Sequence, residues 1–130
     1  MDRFKKLLLR LLALKLRRSS RYRVADAVRV CAPAFGLHLE PVVDIGLGGL
    51  SFNYAVGSQR PAGRFEVTLY VDGRPYLAGL SVRPVADLEL GELPYAGRKI
   101  RCLRTEFVAL APQQKSDLMA LIERHGREKV

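Results

Sequence analysis

The sequence predicts a mainly β protein, a small antiparallel β-barrel closed by a C-terminal helix, and three observations support this fold class. Short apolar runs separated by turn residues follow one another from about residue 22 to 108. Asp72-Gly73 stands between two alternating runs, the pattern of a two-residue hairpin turn. After Pro112 the periodicity becomes helical. The apolar residues of that helix share one stripe: Leu118, Leu121 and Ile122.

The strands come from alternating or continuous apolar stretches of eight to twelve residues. In chain order the candidate strands are "YRVADAVRV", "LHLEPVVDI", "GLSFNYAV", the pair "RFEVTLYV" and "RPYLAGLSVRPV" around Asp72-Gly73, and "KIRCLRTEFVAL" as the last strand. Pro41 lies within the second stretch, so we expect an irregularity or an exposed edge there. With 130 residues the chain suits one domain with one core.

Residues 2–18 predict a helix, because good helix formers dominate and neither Gly nor Pro interrupts them. We assign residues 1–16 to this basic amphipathic helix and residues 17–130 to the barrel domain, with the C-terminal helix at about 112–125. The basic stripe consists of Arg3, Lys6, Arg10 and Arg17, and the opposite apolar stripe consists of Phe4, Leu8, Leu11 and Leu12.

The net charge of +9 is concentrated at the N-terminus. Residues 1–23 hold nine Lys/Arg against Asp2 alone, whereas the rest of the chain holds thirteen Lys/Arg against twelve Asp/Glu. This asymmetry indicates an anionic partner at one end and argues against a nucleic-acid-binding face over the whole domain. No apolar run approaches the roughly 20 residues that span a bilayer. We therefore expect a cytoplasmic protein.

The sequence does not predict an enzyme. Neither histidine lies in a cluster with metal-ligand spacing, and the usual nucleophile and phosphate-binding motifs are missing. Cys31 and Cys102 fit no metal or redox spacing and are expected to be reduced, buried thiols. We expect no metal and no cofactor.

Two short stretches are candidate binding motifs. The segment "RRSSRYRV" contains Arg17, Arg18 and Arg21, which form either a solvated basic linker or an anion clamp, since guanidinium groups fit phosphate oxygens and guanine edges. The segment "DIGLGG" begins at Asp44, whose carboxylate can accept N–H bonds from guanine. Its glycines either provide a sharp bend or leave a bare backbone that a ligand can approach.

The two motifs together resemble the PilZ domain family, whose signature is RxxxR followed after roughly 20 to 30 residues by D/N-x-S-x-x-G. The first matches Arg17-Arg18-Ser19-Ser20-Arg21 and the second Asp44-Ile45-Gly46-Leu47-Gly48-Gly49. The stretches "LSFNYAV" and "RTEFVALAPQQKSDLMALIER" are also similar to this family, so the resemblance covers about residues 17–124. The one departure is Gly46, where the family has serine.

This resemblance implies a six-stranded antiparallel barrel and a bacterial receptor for cyclic di-GMP, the ligand then being the only small molecule required. It further implies that Arg17 and Arg21 grip phosphates and guanine edges, and that Arg18 assists or stacks. Asp44 would read a guanine, and Gly49 would keep the backbone clear. Loss of one neutral hydrogen bond at Gly46 costs about 0.5–1.5 kcal/mol, which weakens binding without abolishing it.

Because the basic helix adjoins the arginines, ligand binding is expected to reposition it. It would dock on a protein partner, on the barrel surface or, as a peripheral contact, on an anionic membrane. The alternative is a PilZ domain that has lost the ligand and acts as a protein–protein interaction module. A nucleic-acid-binding arm is less favoured, because the only aromatic residues in the arm are Phe4 and Tyr22.

Overall fold

The computed structural model describes residues 20–36, 38–55, 63–93 and 98–130. The predicted N-terminal helix lies outside these residues, as do Arg17 and Arg18. No helix in the described part of the chain is long and apolar enough to cross a bilayer.

Six antiparallel strands form a closed barrel in the order β2-β5-β6-β7-β4-β3, and pairing of β3 with β2 completes the circle. This confirms the barrel prediction. The barrel strands are β2 (Val28–Cys31), β3 (Glu40–Gly46), β4 (Leu50–Ala55), β5 (Phe65–Val71), β6 (Arg74–Leu93) and β7 (Arg98–Phe107).

The β5–β6 connection is the hairpin that the sequence predicts. Asp72 and Gly73 both have positive φ, at 51° and 76°, as a type I′ turn requires. Strand β6 continues through Pro84, where a register shift between Pro84 and Ala86 accommodates the missing amide donor. Pro41 likewise lies in β3 close to a register shift between Val42 and Asp44.

Helix α1 (Pro112–His125) closes one side of the barrel. Pro112 occupies its first turn, and the Gln114 side chain accepts a hydrogen bond from the Ala111 amide at 2.9 Å. The predicted apolar stripe is buried and belongs to the same core as the strands. The fully buried members of this core include Val28, Ile45, Leu50, Phe52, Val67, Leu69, Leu80, Val82, Leu118 and Leu121.

Two short strands extend the barrel sheet beyond β3. Strand β1 (Arg21–Val24) pairs with the end of β3, and β8 (Gly126–Lys129) pairs with β1. The prediction that β7 is the last strand is therefore wrong. Three of the four residues of β8 are charged, and the strand has no apolar alternation. The segment therefore has no strand signal of its own and forms a strand only because β1 is beside it.

A candidate binding face at the β3–β4 turn

The candidate site lies where β3 turns into β4. The turn is tight, because the Gly46 amide donates a hydrogen bond to the Gly49 carbonyl at 2.9 Å. Asp44 stands two residues before the turn and Ser51 two residues after it, and these two residues are paired across β3 and β4. Both side chains therefore lie on the same face of the sheet.

Strand β1 adds Arg21 to this face. Arg21 pairs with Gly46, and its side chain extends over the neighbouring positions of β3 and β4. The guanidinium Nη1 donates to Asp44 Oδ1 at 3.3 Å and to Ser51 Oγ at 3.4 Å, and Nη2 donates to the Thr105 carbonyl at 3.1 Å. The structure thus brings together residues of both sequence motifs, which are 23 positions apart in the chain.

The contacts of Arg21 are long for a charged donor. Charge-assisted N–H···O bonds are usually about 2.7–2.9 Å, and a carboxylate can hold both arms of a guanidinium at once. Here the ion pair to Asp44 is monodentate at 3.3 Å, with only 16% and 12% of the two side chains exposed. The guanidinium is held in place, but its contacts to the described residues are weaker than charged hydrogen bonds can be. Anionic oxygens of a ligand can therefore compete for its N–H donors.

Two glycines of the turn, Gly46 and Gly49, are crowded by backbone atoms. A Cβ built on Gly46 would overlap the Ser20 carbonyl oxygen, and one built on Gly49 would overlap the Thr105 carbonyl oxygen. Neither glycine has a positive φ, so the requirement is for space and not for an unusual conformation. Thr105 O therefore lies against Gly49 and also accepts the hydrogen bond from Arg21.

The same face continues onto β7 and β6. Ser51 is opposite Arg104, and Asn53 is opposite Cys102, which in turn is opposite Leu88 on β6. Arg104 is exposed and makes no ion pair within the described residues, and Leu88 is 51% exposed. The face thus has a cationic side at Arg21 and Arg104 and an apolar side at Leu88.

Cys102 contributes a neutral group to this face. Burial raises the pKa of its thiol, and the nearby Asp44 carboxylate raises it further. The thiol therefore stays protonated at neutral pH and is a poor nucleophile. Asn53, beside it, has a buried side-chain oxygen that accepts no hydrogen bond from the residues that the structure describes. Such an acceptor is uncommon inside proteins and suits an N–H donor.

Of the residues predicted for the site, Arg21, Asp44, Gly46 and Gly49 lie together here, and three groups that the sequence did not single out lie beside them. These are Ser51, Arg104 and the Thr105 carbonyl. Alternation along β7 puts Cys102 and Arg104 on one face, but only the register of β7 against β4 brings that face to Ser51.

A second concavity lies at the opposite end of β3 and β4. Its volume is about 80 Å³, well below the roughly 300–1,000 Å³ of ordinary ligand pockets, so it does not suit a nucleotide. The lining residues are Ala32, Phe35, Gly36, His38, Glu40, Phe52, Tyr54 and Ala55. No group of three potential metal ligands occurs among the residues that the structure describes.

Comparison with solved structures identifies the fold. The chain is similar to PlzA from Borreliella burgdorferi, solved in complex with c-di-GMP, with a TM-score of 0.59 and 13% identity over 92% of this chain. It is also similar to the PilZ domain of YcgR from Escherichia coli with c-di-GMP, with a TM-score of 0.53 and 16% identity. The chain has a PilZ-like fold.

The match covers different shares of the two solved structures. The match spans 56% of the PlzA chain, whereas it spans 90% of the YcgR domain and 82% of the present chain. No family model and no curated protein matches the sequence. At these identities the likeness establishes the PilZ-like architecture and not the ligand.

Proposed function

We propose that this chain is a non-enzymatic receptor domain for cyclic di-GMP and acts in the bacterial cytoplasm. The observation that carries the proposal is the position of Arg21. Its guanidinium lies 3.3 Å from Asp44 on one sheet face, joining the two segments that resemble the PilZ signature. A cationic fork beside a carboxylate suits a ligand that combines phosphates with guanine edges.

The binding face offers complementary chemistry to each part of such a ligand. Arg21 and the exposed Arg104 supply donors for phosphate oxygens, and Asp44 is an acceptor for guanine N–H groups. Leu88 offers exposed apolar surface against which a purine ring can pack. Arg17 and Arg18 are proposed as further ligand contacts on the basis of the RxxxR resemblance alone.

Titration calorimetry at fixed moderate salt tests the proposal. Wild-type protein is expected to bind cyclic di-GMP with micromolar or tighter affinity and not to bind GTP. Arg21→Ala removes a guanidinium that can donate two bonds to phosphate oxygens, each worth about 1.5–3 kcal/mol, and should weaken binding about 100-fold or more. The matched control is Arg74→Ala, which removes the same charge from an exposed position at the far β5–β6 hairpin.

We also propose that ligand binding repositions the basic segment of residues 1–16. The arginines of the RxxxR stretch follow this segment directly, so a ligand that orders them also constrains the segment. Flotation with anionic liposomes, comparing residues 1–130 and 17–130 with and without ligand, tests a membrane target. Equal recovery of both chains in the soluble fraction would leave a protein partner as the target.

The second candidate is a ligand-independent interaction module, favoured by a different observation. Strand β6 exposes Val85, Leu88 and Leu90, each with more than half of its surface accessible. Several exposed large apolar side chains on one strand are a candidate surface for a protein contact. Wild-type protein that gives no heat with cyclic di-GMP, and whose thermal stability the ligand does not raise, would favour this candidate.

A further inference from the structure

Strand β1 carries Arg21 but is only four residues long. On one side it pairs with β3 at two positions, Arg21 with Gly46 and Tyr22 with Ile45. On the other side it pairs with β8 through Tyr22, Arg23 and Val24. A strand this short depends on its neighbours for its position, so both contacts bear on where the Arg21 side chain lies.

The β3 side leaves no room for a side chain at Gly46. The Ser20 carbonyl occupies the place that a Cβ would take, and the Arg21 Cα is 3.5 Å from the same point. Because these are backbone atoms, they move only if β1 moves. Any residue larger than glycine at this position must therefore push the beginning of β1 away from β3.

On the side of β8, backbone hydrogen bonds hold both ends of β1. The Val130 amide donates to the Arg21 carbonyl at 2.9 Å, and the Ala25 amide donates to the His125 carbonyl at 2.9 Å. The Arg23–Glu128 ion pair between the two strands is about two-thirds exposed on both sides and contributes little. The backbone bonds are therefore the main contribution of β8.

We propose that Gly46 and β8 are positioning elements that hold β1, and with it the Arg21 guanidinium, in the place where the ligand is bound. This inference rests on the proposed cyclic di-GMP function and deepens it. Three acceptors on three strands reach Arg21 only while β1 stays docked: Asp44 on β3, Ser51 on β4 and the Thr105 carbonyl on β7. Undocking lowers the population of the binding-competent state, and the apparent affinity falls by the same factor.

A serine at position 46 should have opposite effects depending on the role of Gly46. If Gly46 merely lacks a ligand-contacting hydroxyl, Gly46→Ser restores that contact and tightens binding. If Gly46 is the space into which β1 packs, Gly46→Ser weakens binding, and Gly46→Ala weakens it by a similar factor because the obstacle is the Cβ. We expect both variants to bind cyclic di-GMP at least 10-fold more weakly than the wild type.

The contribution of β8 is tested by removing one donor atom. Val130→Pro deletes the amide that bonds to the Arg21 carbonyl, whereas Val130→Ala keeps this amide and is the matched control. One backbone hydrogen bond corresponds to about a 2- to 13-fold change in an equilibrium. We expect a loss of affinity of that order for the proline variant and none for the alanine variant.

Amide hydrogen exchange in the absence of ligand reports the position of β1 independently of binding. Exchange at Ala25 should accelerate in Gly46→Ser and in Val130→Pro, while exchange at Leu69 in the barrel core stays slow. Slow exchange at Ala25 in both variants, or Gly46→Ser binding as tightly as the wild type, overturns the inference. If the wild-type protein fails to bind cyclic di-GMP, the proposed function is wrong. The exchange rates at Ala25 then still test whether Gly46 and β8 hold β1 in place.

Discussion

Glycine has different physical roles in two tight turns of this protein, the β5–β6 hairpin and the β3–β4 turn. In the β5–β6 hairpin, Gly73 has a φ of 76° and no atom within 4 Å of the place where its Cβ would be. In the β3–β4 turn, Gly46 and Gly49 have no positive φ but are each pressed against a carbonyl oxygen of another strand. The hairpin needs glycine for conformation, and the candidate site needs it for space.

This difference explains which turn the sequence could predict. Conformational demand is local, so Asp72-Gly73 between alternating runs identifies its turn type without knowledge of the rest of the chain. Spatial demand is set by a partner strand that is distant in sequence. Thr105, whose carbonyl crowds Gly49, is 56 residues away in the numbering.

The largest expected effect comes from placing asparagine at the two kinds of glycine. Asparagine tolerates positive φ but carries a Cβ, so Gly73→Asn should change the free energy of unfolding by no more than about 0.5 kcal/mol. Gly49→Asn should lower it by about 3 kcal/mol, because β4 and β7 must separate. Urea denaturation measures both. If both substitutions lower the free energy of unfolding equally, the two glycines do not differ in role.

A valine at the hairpin should give an intermediate effect. Gly73→Val places a β-branched residue at positive φ, which costs about 1–2 kcal/mol although the surrounding space is open. Thermal unfolding is the measurement, and Gly63→Val is the control. Gly63 has no positive φ, and no described residue beyond its chain neighbours lies within 4 Å of its Cβ position, so its substitution should be close to neutral.

Arg104 and Arg74 carry the same charge, but only Arg104 lies on the candidate binding face. Arg104→Ala should weaken binding of cyclic di-GMP about 3- to 10-fold, the value expected for one partly exposed phosphate contact. Arg74→Ala, at the hairpin, should leave the affinity unchanged although the net charge falls equally. If the affinity falls by the same factor in both variants, the arginines act on the ligand only through the overall electrostatic field of the protein.

The smallest effect is expected from pH. The pKa of Cys102 is raised in the folded state, first by burial and then by Asp44. The folded thiol holds its proton more tightly than the unfolded one, so its contribution to stability is complete below the unfolded pKa near 9.0 and decreases as pH rises above it. Cys102→Ala should remove this decrease when unfolding is followed from pH 7 to 10. A slope that persists in the variant must come from other groups.

The elements that the sequence predicted are those with local signals. Helix α1 was predictable from Pro112 and from its apolar stripe, and β3, β4 and the β5–β6 hairpin were predictable from their apolar runs. The stretch "YRVADAVRV", expected as one strand, instead forms β1 and β2 on either side of a turn. Strand β8 was not, because Arg127, Glu128 and Lys129 have no apolar face. Within the candidate site, the residue types of Arg21 and Asp44 led to the proposed chemistry, but the contact of the Thr105 carbonyl depends on register and has no signal in residue type.

The charged composition of β8 has a consequence for the protein in concentrated solution. In the described part of the sheet, β8 is the terminal strand, and its outer amides and carbonyls have no neighbouring strand. A strand of four residues with alternating charges is a poor template for another chain, since an incoming backbone must bury those charges for few hydrogen bonds. The segment that fixes β1 thereby also protects the protein from edge-to-edge aggregation.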